Sequence, residues 1–434
     1  MPLLGYSFRQ HHRALYKSDI PLGFLQPATF FIFSALFFPE PSIAVEDSGK
    51  APLYAQDYGT GDWGGYRSEL REKGFTFNLN LTTDPLGNPV GGMKQSAANA
   101  AGLTGGIYVD LERLAGFNGL SFGVSSKWSE GRNLSQEDIG NLFAVAEILS
   151  DDGWRLADVY FEQNLFNEAV NVALGQLTTG NDFATSQYYT LYVSRAVHIN
   201  PTGLWTNIPS FTAVPLSQWG VRVSVEPTPD WYWRVGAYNA DPQVQDPDNY
   251  GLDFRFNPED GVLILSEVAL LRSSDGYITG LPGRYVLGGY YDTSDYEYVT
   301  NLNRHKEGNG GFYITLEQTV FEEQQGQGLS LWSTFIVGLD NTINTVPFSA
   351  YGGASYKGLF PGRDDDITAV AAYLANFSTD LIDQDFELVW EAMHRFQVTP
   401  WFYASLDLQY ISNPSGREDI PDALVFGAEF SIEF

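Results

Sequence analysis

Residues 421–434 read PDALVFGAEFSIEF. From Leu424 the residues alternate: Leu424, Phe426, Ala428, Phe430, Ile432 and Phe434 against Val425, Gly427, Glu429, Ser431 and Glu433. A period of two puts the sets on opposite sides of a strand. One side is wholly apolar, and the other carries two carboxylates. In a soluble sandwich such an apolar face meets protein. In an outer-membrane barrel it meets lipid, and the polar face meets a water-filled lumen. One strand does not separate these readings, so the rest of the chain must.

The alternation recurs. Over 400–413, Phe402, Ala404, Leu406, Leu408 and Tyr410 oppose Tyr403, Ser405, Asp407 and Gln409. Over 384–395, Phe386, Leu388, Trp390 and Ala392 oppose Glu387, Glu391 and Arg395. Trp219, Val221, Val223 and Val225 oppose Arg222, Ser224 and Glu226, and Ile107, Val109 and Leu111 oppose Tyr108, Asp110 and Glu112. Burying so many charges in a dry core is very costly, and an aqueous lumen removes that cost. Strands are expected at about 75–84, 103–112, 118–128, 154–163, 169–178, 217–226, 231–240, 261–270, 284–293, 310–320, 328–339, 346–357, 366–377, 384–395, 400–413 and 421–434. Most are close to the 9–11 residues that a tilted membrane strand needs. A short further strand near Gly251–Phe256 is a weaker expectation.

Trp128, Trp154, Trp219, Trp231, Trp233, Trp401 and Phe434 fall at strand ends, where an interfacial aromatic girdle places them. Short turns are expected at 113–117, 164–168, 227–230 and 396–399, and long connections at 85–102, 129–153, 179–216, 241–260 and 294–309. Short turns at one rim and long loops at the other suit a barrel. A connection as long as 179–216 is usually functional. It is expected to fold inward and narrow the pore, with an extracellular flap as the alternative. Ahead of the strands, residues 62–74 (DWGGYRSELREKG) read as a short helix that Asp62 caps and Gly74 ends.

The 434 residues include 53 acidic and 24 basic side chains, 15% aromatics, 44 Gly and no Cys. A net charge of −29 argues against nucleic acid, because nothing here neutralises phosphates. Arg9, Arg13 and Lys17 precede an apolar run of eleven, Ala28–Phe38, and small residues follow at Ser42–Ala44. That order is a secretory signal, and the run is too short to span a bilayer. The expected organisation is therefore a signal peptide (1–44), a lead with a short helix (45–74), and a transmembrane antiparallel all-β barrel of about sixteen strands (75–434).

Several segments resemble the OprB-type carbohydrate-selective porins of Gram-negative outer membranes. Residues 62–74 are similar to that family's opening WGG-x-R-x-x-L-x-x-x-G segment. Asn181–Ser186, after Leu174-Gly175-Gln176, is similar to its D-F-x-x-S element. Pro215–Arg222 resembles its P-x-x-x-x-G-x-R element, and Val235–Pro242 its G-x-Y-x-x-x-P turn. Leu408–Pro414 with Asp422–Gly427 resembles its closing segment. The resemblance covers about 62–434 and implies a sixteen-stranded barrel that admits monosaccharides. The chain departs from the pattern in its signal region and in the aromatic and basic content of Tyr188–Asn207.

A sugar offers hydroxyls and apolar C–H faces. A selective channel answers with planar donors and acceptors and with rings, and it binds weakly enough to release. Candidate pore-lining residues are Arg222, Arg234, Lys127, Asp110, Asp158, Glu162, Glu391, Asp407 and Tyr238 on the strands, with Arg195, His198 and Trp205 from the long loop. An arginine presents a fixed fork of donors that facing carboxylates hold in place. The function expected is passive, carbohydrate-selective diffusion of small sugars such as glucose. The expected location is the outer membrane of a Gram-negative bacterium, amid lipid, as monomer or homotrimer.

Two rivals remain: a soluble periplasmic carbohydrate-binding β-protein and a barrel-type outer-membrane enzyme. After residue 44 only His198, His305 and His394 remain as histidines, with no G-x-S-x-G or H-E-x-x-H motif, so no enzyme is expected. No cofactor or metal is expected either. Arg363–Asp366 and the 241–248 loop lack EF-hand spacing and read as solvated acidic loops.

Overall fold

A computed structural model describes residues 53–148, 153–273 and 276–434. The expected signal peptide lies outside the described residues. The strands are β1 (Phe75–Val90), β2 (Ser96–Asp110), β3 (Leu120–Gly131), β4 (Gly153–Leu165), β5 (Val170–Leu177), β6 (Gln218–Thr228), β7 (Trp231–Asn239) and β8 (Val262–Arg272). They continue as β9 (Gly283–Tyr298), β10 (Asn301–Gln324), β11 (Gln327–Gly338), β12 (Phe348–Lys357), β13 (Ile367–Asn376), β14 (Phe386–Thr399), β15 (Phe402–Ser412) and β16 (Ala423–Glu433). Each pairs with its sequence neighbour, and β16 returns to β1 to close the barrel. Leu81 faces Ile432 and Thr83 faces Phe430 across that antiparallel seam. Closure leaves no strand edge unpaired.

The parity read from the sequence sets the faces. Phe426, Leu406, Leu408 and Trp390 are exposed on the outside, while Glu429, Asp407 and Glu391 are buried within. The apolar faces do not press on one another, so a sandwich is ruled out. Trp231 and Trp233 are exposed where β7 leaves its short turn, and Trp154 pairs with Trp128 near the other rim.

One rim carries short turns, as at 229–230, 325–326 and 400–401; the other carries the long loops 132–152, 178–217 and 240–261. Two expected long connections are instead strand. The β1–β2 ladder continues from Asp84↔Ala100 to Asn88↔Ser96, leaving only 91–95 as a turn. Residues 96–101 (SAANAA) have weak strand propensity, so the sequence pattern fades although the ladder continues. Likewise β9 and β10 run on through the expected loop and leave only 299–300 between them. Residues 396–399 belong to β14, and 111–115 form a helix, α2 (Leu111–Ala115), rather than a bare turn. No strand forms at 251–256; this part of the loop packs on β4, with Leu156 N donating to Tyr250 O.

Helix α1 (Tyr66–Glu72) sits at the short-turn rim, across the seam. Asp62 Oδ1 accepts from Ser68 N at 2.9 Å and from Ser68 Oγ at 2.8 Å. Gly74, at φ 98°, ends the segment. Arg67 Nη2 donates to Phe77 O on β1 at 3.1 Å and to Phe434 O beyond β16 at 2.9 Å. Gly59 N adds a bond to Glu433 O at 2.8 Å.

Candidate functional site

The loop 178–217 turns into the barrel. Its apolar residues Tyr189, Tyr192, Val193, Val197 and Leu204 are fully buried against the wall. The rings of Tyr189 and Tyr192 pack on Trp332 of β11 at 5.4 and 5.6 Å. Tyr192 OH donates to Val370 O of β13 at 3.1 Å, and Gly203 N to Tyr351 OH of β12 at 2.9 Å. Helix α3 (Thr202–Asn207) lies within this loop, and Asn207 trades two hydrogen bonds with the Val346 backbone.

A loop inside a barrel cannot join the sheet ladder, yet its backbone groups still need partners. Charged wall residues supply them. Asp158 accepts from Thr178 N at 2.7 Å. Glu267 accepts from Ala184 N at 3.2 Å, from Tyr232 OH at 2.8 Å and from Tyr313 OH at 2.7 Å. Glu391 accepts from Val193 N at 2.8 Å, Ser194 N at 3.2 Å and Tyr373 OH at 2.7 Å. Glu387 does the same for the 132–152 loop, taking Leu142 N at 2.7 Å and Phe143 N at 2.8 Å. Arginines hold the carbonyls: Arg234 donates to Asp182 O, Arg284 to Thr185 O at 2.8 Å, and Arg395 to Thr190 O at 2.9 Å. These are charge-assisted bonds, the stronger kind.

This arrangement corrects part of the sequence reading. Asp158, Glu391, Asp407 and Tyr238 do face inward, but none is more than 5% exposed, so they are covered by the inward loops rather than lining an open passage. Asp158 and Glu391 hold the loop, and Asp407 accepts from Gln409 Nε2 at 2.8 Å. Tyr238 is walled in by the loop residue Phe183, whose ring meets it edge-on at 6.3 Å. Asp110 lies at the short-turn rim, where it caps α2 by accepting from Arg113 N at 3.0 Å. Strand parity identifies an inward side chain; it says nothing of what lies over it.

The other candidates gather in two places. At the first, Arg222 of β6 pairs through Nε with Asp182 at 3.0 Å and through Nη2 with Glu162 at 3.5 Å, and it also donates to Asn171. Arg234 lies beside it, its guanidinium 4.8 Å from the Tyr232 ring centre. At the second, Arg195, His198 and Trp205 come together with Lys127 around Glu147. His198 Nε2 lies 3.1 Å from Glu147 Oε2, and its Nδ1 lies 2.9 Å from Tyr192 O. The Arg195 guanidinium stacks 4.2 Å from the Trp205 ring centre and donates to Glu147 O at 3.4 Å. Lys127 is buried alongside. Burial alone pushes the Glu147 carboxyl up, but His198, Lys127 and Arg195 outweigh that and hold it below its ordinary value.

Glu147 and Asp182 were not among the sequence candidates. Asp182 stands in the quoted Asn181–Ser186 segment, which was the one available signal. Glu147 lies in an irregular connection with no periodicity to mark its direction. His198, Glu147 and Arg195 stay partly exposed. Together with Trp205 they present a ring, a fork of donors and a carboxylate acceptor, a set that suits a polyhydroxylated solute with apolar C–H faces.

A sequence model of the carbohydrate-selective porin, OprB family, matches residues 94–434. Porin B of Pseudomonas aeruginosa is 28% identical over 418 residues, covering 86% of this chain and 90% of that one. The putative porin QuiX of Acinetobacter baylyi is 25% identical over 414 residues, covering 86% and 92%. The high-pH structure of Pseudomonas putida OprB superposes with a TM-score of 0.82 at 26% identity, covering 89% of this chain and all of that one.

Proposed function

The chain belongs to the carbohydrate-selective porin family OprB, a channel family of the Gram-negative outer membrane, and on that premise we propose that it passes glucose-sized monosaccharides down their own gradient. The observation that carries this reading is the surface built by two loops inside the barrel: Arg195 stacked on Trp205, with His198 paired to Glu147. Aromatic ring and guanidinium serve the C–H face and the hydroxyls of a pyranose. Each contact alone is weak, so the solute leaves again. Arg222 with Glu162 and Asp182 forms a second polar station. No covalent step is involved, and residues 1–44 act as the export signal.

Liposome swelling tests the reading. Glucose is expected to enter faster than a disaccharide and faster than an amino acid of similar size. Equal permeation of all three would reduce the protein to a general pore.

A further inference from the structure

A groove of about 550 Å³ runs along the barrel wall across β1 to β4. That volume lies within the roughly 300–1,000 Å³ of small-molecule sites. Its sides carry the outward-facing Leu79, Ile107 and Leu156. Between them Gly105, over which the Leu79 side chain leans, and its cross-strand partner Ser126 leave a notch where neighbouring positions carry large side chains.

A run of small residues on a lipid-facing wall is not a site by itself. The end of this groove is different. Arg67 lines it at the short-turn rim and is only 4% exposed. Its Nη2 holds the two seam carbonyls, but its Nη1 is buried with no hydrogen-bond partner among the described residues. The guanidinium is sandwiched by Tyr58, 3.4 Å from the ring centre, and Trp63, at 5.0 Å. A buried charged donor without an acceptor is costly, and it beckons an oxygen. Short turns of outer-membrane barrels face the periplasm, so this end sits at the headgroup level of the inner leaflet. Trp63, exposed beside it, is the kind of residue found at such an interface.

We propose that the groove is a specific phospholipid site. One acyl chain lies over Gly105 and Ser126 between Leu79, Ile107 and Leu156, and a phosphate or ester oxygen accepts from Arg67 Nη1. A protein partner needs a broad matching face of about 1,000 Å² or more. A notch two residues wide fits a single chain.

The test uses the full protein in mild detergent, mixed micelles of palmitoyl-oleoyl phosphatidylglycerol or of dioleoylglycerol, and native mass spectrometry. Wild type is expected to retain one phosphatidylglycerol per barrel. Ser126→Leu fills the notch on a face that tolerates leucine, and its lipid occupancy is expected to fall by about tenfold with unchanged heat-modifiable mobility. Arg67→Gln is expected to lose the preference for phosphatidylglycerol over dioleoylglycerol. The proposal is overturned if wild type retains no lipid, if Ser126→Leu retains as much as wild type, or if added lipid A displaces the phospholipid at equal concentration. It is also overturned if Ser126→Leu instead splits an oligomer, which would assign the notch to contact between copies.

Discussion

Glu391 and Glu147 are carboxylates inside the same barrel, and both meet the same inward loop, yet they do so in opposite ways. Glu391 rises from the wall and takes the backbone N–H groups of Val193 and Ser194. Glu147 comes from a neighbouring loop and meets side chains: His198 directly, with Lys127 and Arg195 close enough to depress its pKa. A carboxylate capped by backbone has a fixed task, because the loop cannot leave without breaking it. A carboxylate faced by side chains can exchange partners with a passing solute. The same contrast separates Arg284 and Arg395, which hold the loop carbonyls of Thr185 and Thr190, from Trp205, whose ring meets the Arg195 guanidinium. Direction into the lumen is therefore a poor guide to function, and the identity of the partner is a good one.

The largest test of that contrast is Glu267→Ala. It strips the acceptor from Ala184 N, Tyr232 OH and Tyr313 OH and leaves Arg234 and Arg284 without their shared counter-charge. A loss of about 3–5 kcal/mol is expected, the cost of breaking a buried charge network. Denaturant unfolding of the refolded barrel measures it, and single-channel recordings should show a wider, noisier pore. If both stayed at wild-type values, the loop would owe nothing to this peg. Glu391→Gln is milder, because one amide oxygen still accepts; a loss of about 1–3 kcal/mol is expected by the same measurement.

Trp205→Ala works on the other side of the comparison. Its stability should match wild type more closely than that of either peg variant. Its glucose half-saturation in planar-bilayer current-block titrations should rise several-fold, as loss of about 1 kcal/mol of ring contact implies. A stability loss as large as that of Glu267→Ala would move Trp205 into the loop-holding class.

Glu147 gives a pH signature. Its folded pKa is depressed, so its contribution is present above the ordinary carboxylate value of 4.5 and is lost as pH falls through the lower folded value. Glucose flux should decline as pH falls through that point, while Glu147→Gln should show no such step. The smallest effect belongs to Asp110→Asn: a helix cap at the rim is softened, and sugar flux should not change.

Much of the fold was legible because a period of two is a local signal. Leu424–Phe434 shows its two faces without knowledge of any other strand, and closure follows once sixteen such strands are counted. The pattern failed where composition turned bland, as in Ala97–Ala101, whose ladder depends on its partner strand rather than on its own propensity. It failed again inside the barrel. Nothing near Asp158 in sequence announces Thr178 N, and nothing near Glu391 announces Val193 N, nearly two hundred residues away. Arg195, His198 and Trp205 were legible as chemistry in a suspiciously long loop. The carboxylate that organises them was not, because Glu147 sits in a connection without regular direction.

The hairpin of β9 and β10 climbs past the zone where its neighbours stop, and Asn301–Glu307 stand exposed on both sides. Paired residues such as His305 and Glu297 keep it ordered as a ribbon above the long-loop rim. Its tip leans on a neighbour: Val299 N donates to Thr342 O at 2.9 Å and Lys306 pairs with Asp340, so the β9–β10 ribbon is strapped to the 339–347 loop at the cell's outer surface. A peptide tag spliced in at 299–300 would be displayed to the medium while sugar still flows below.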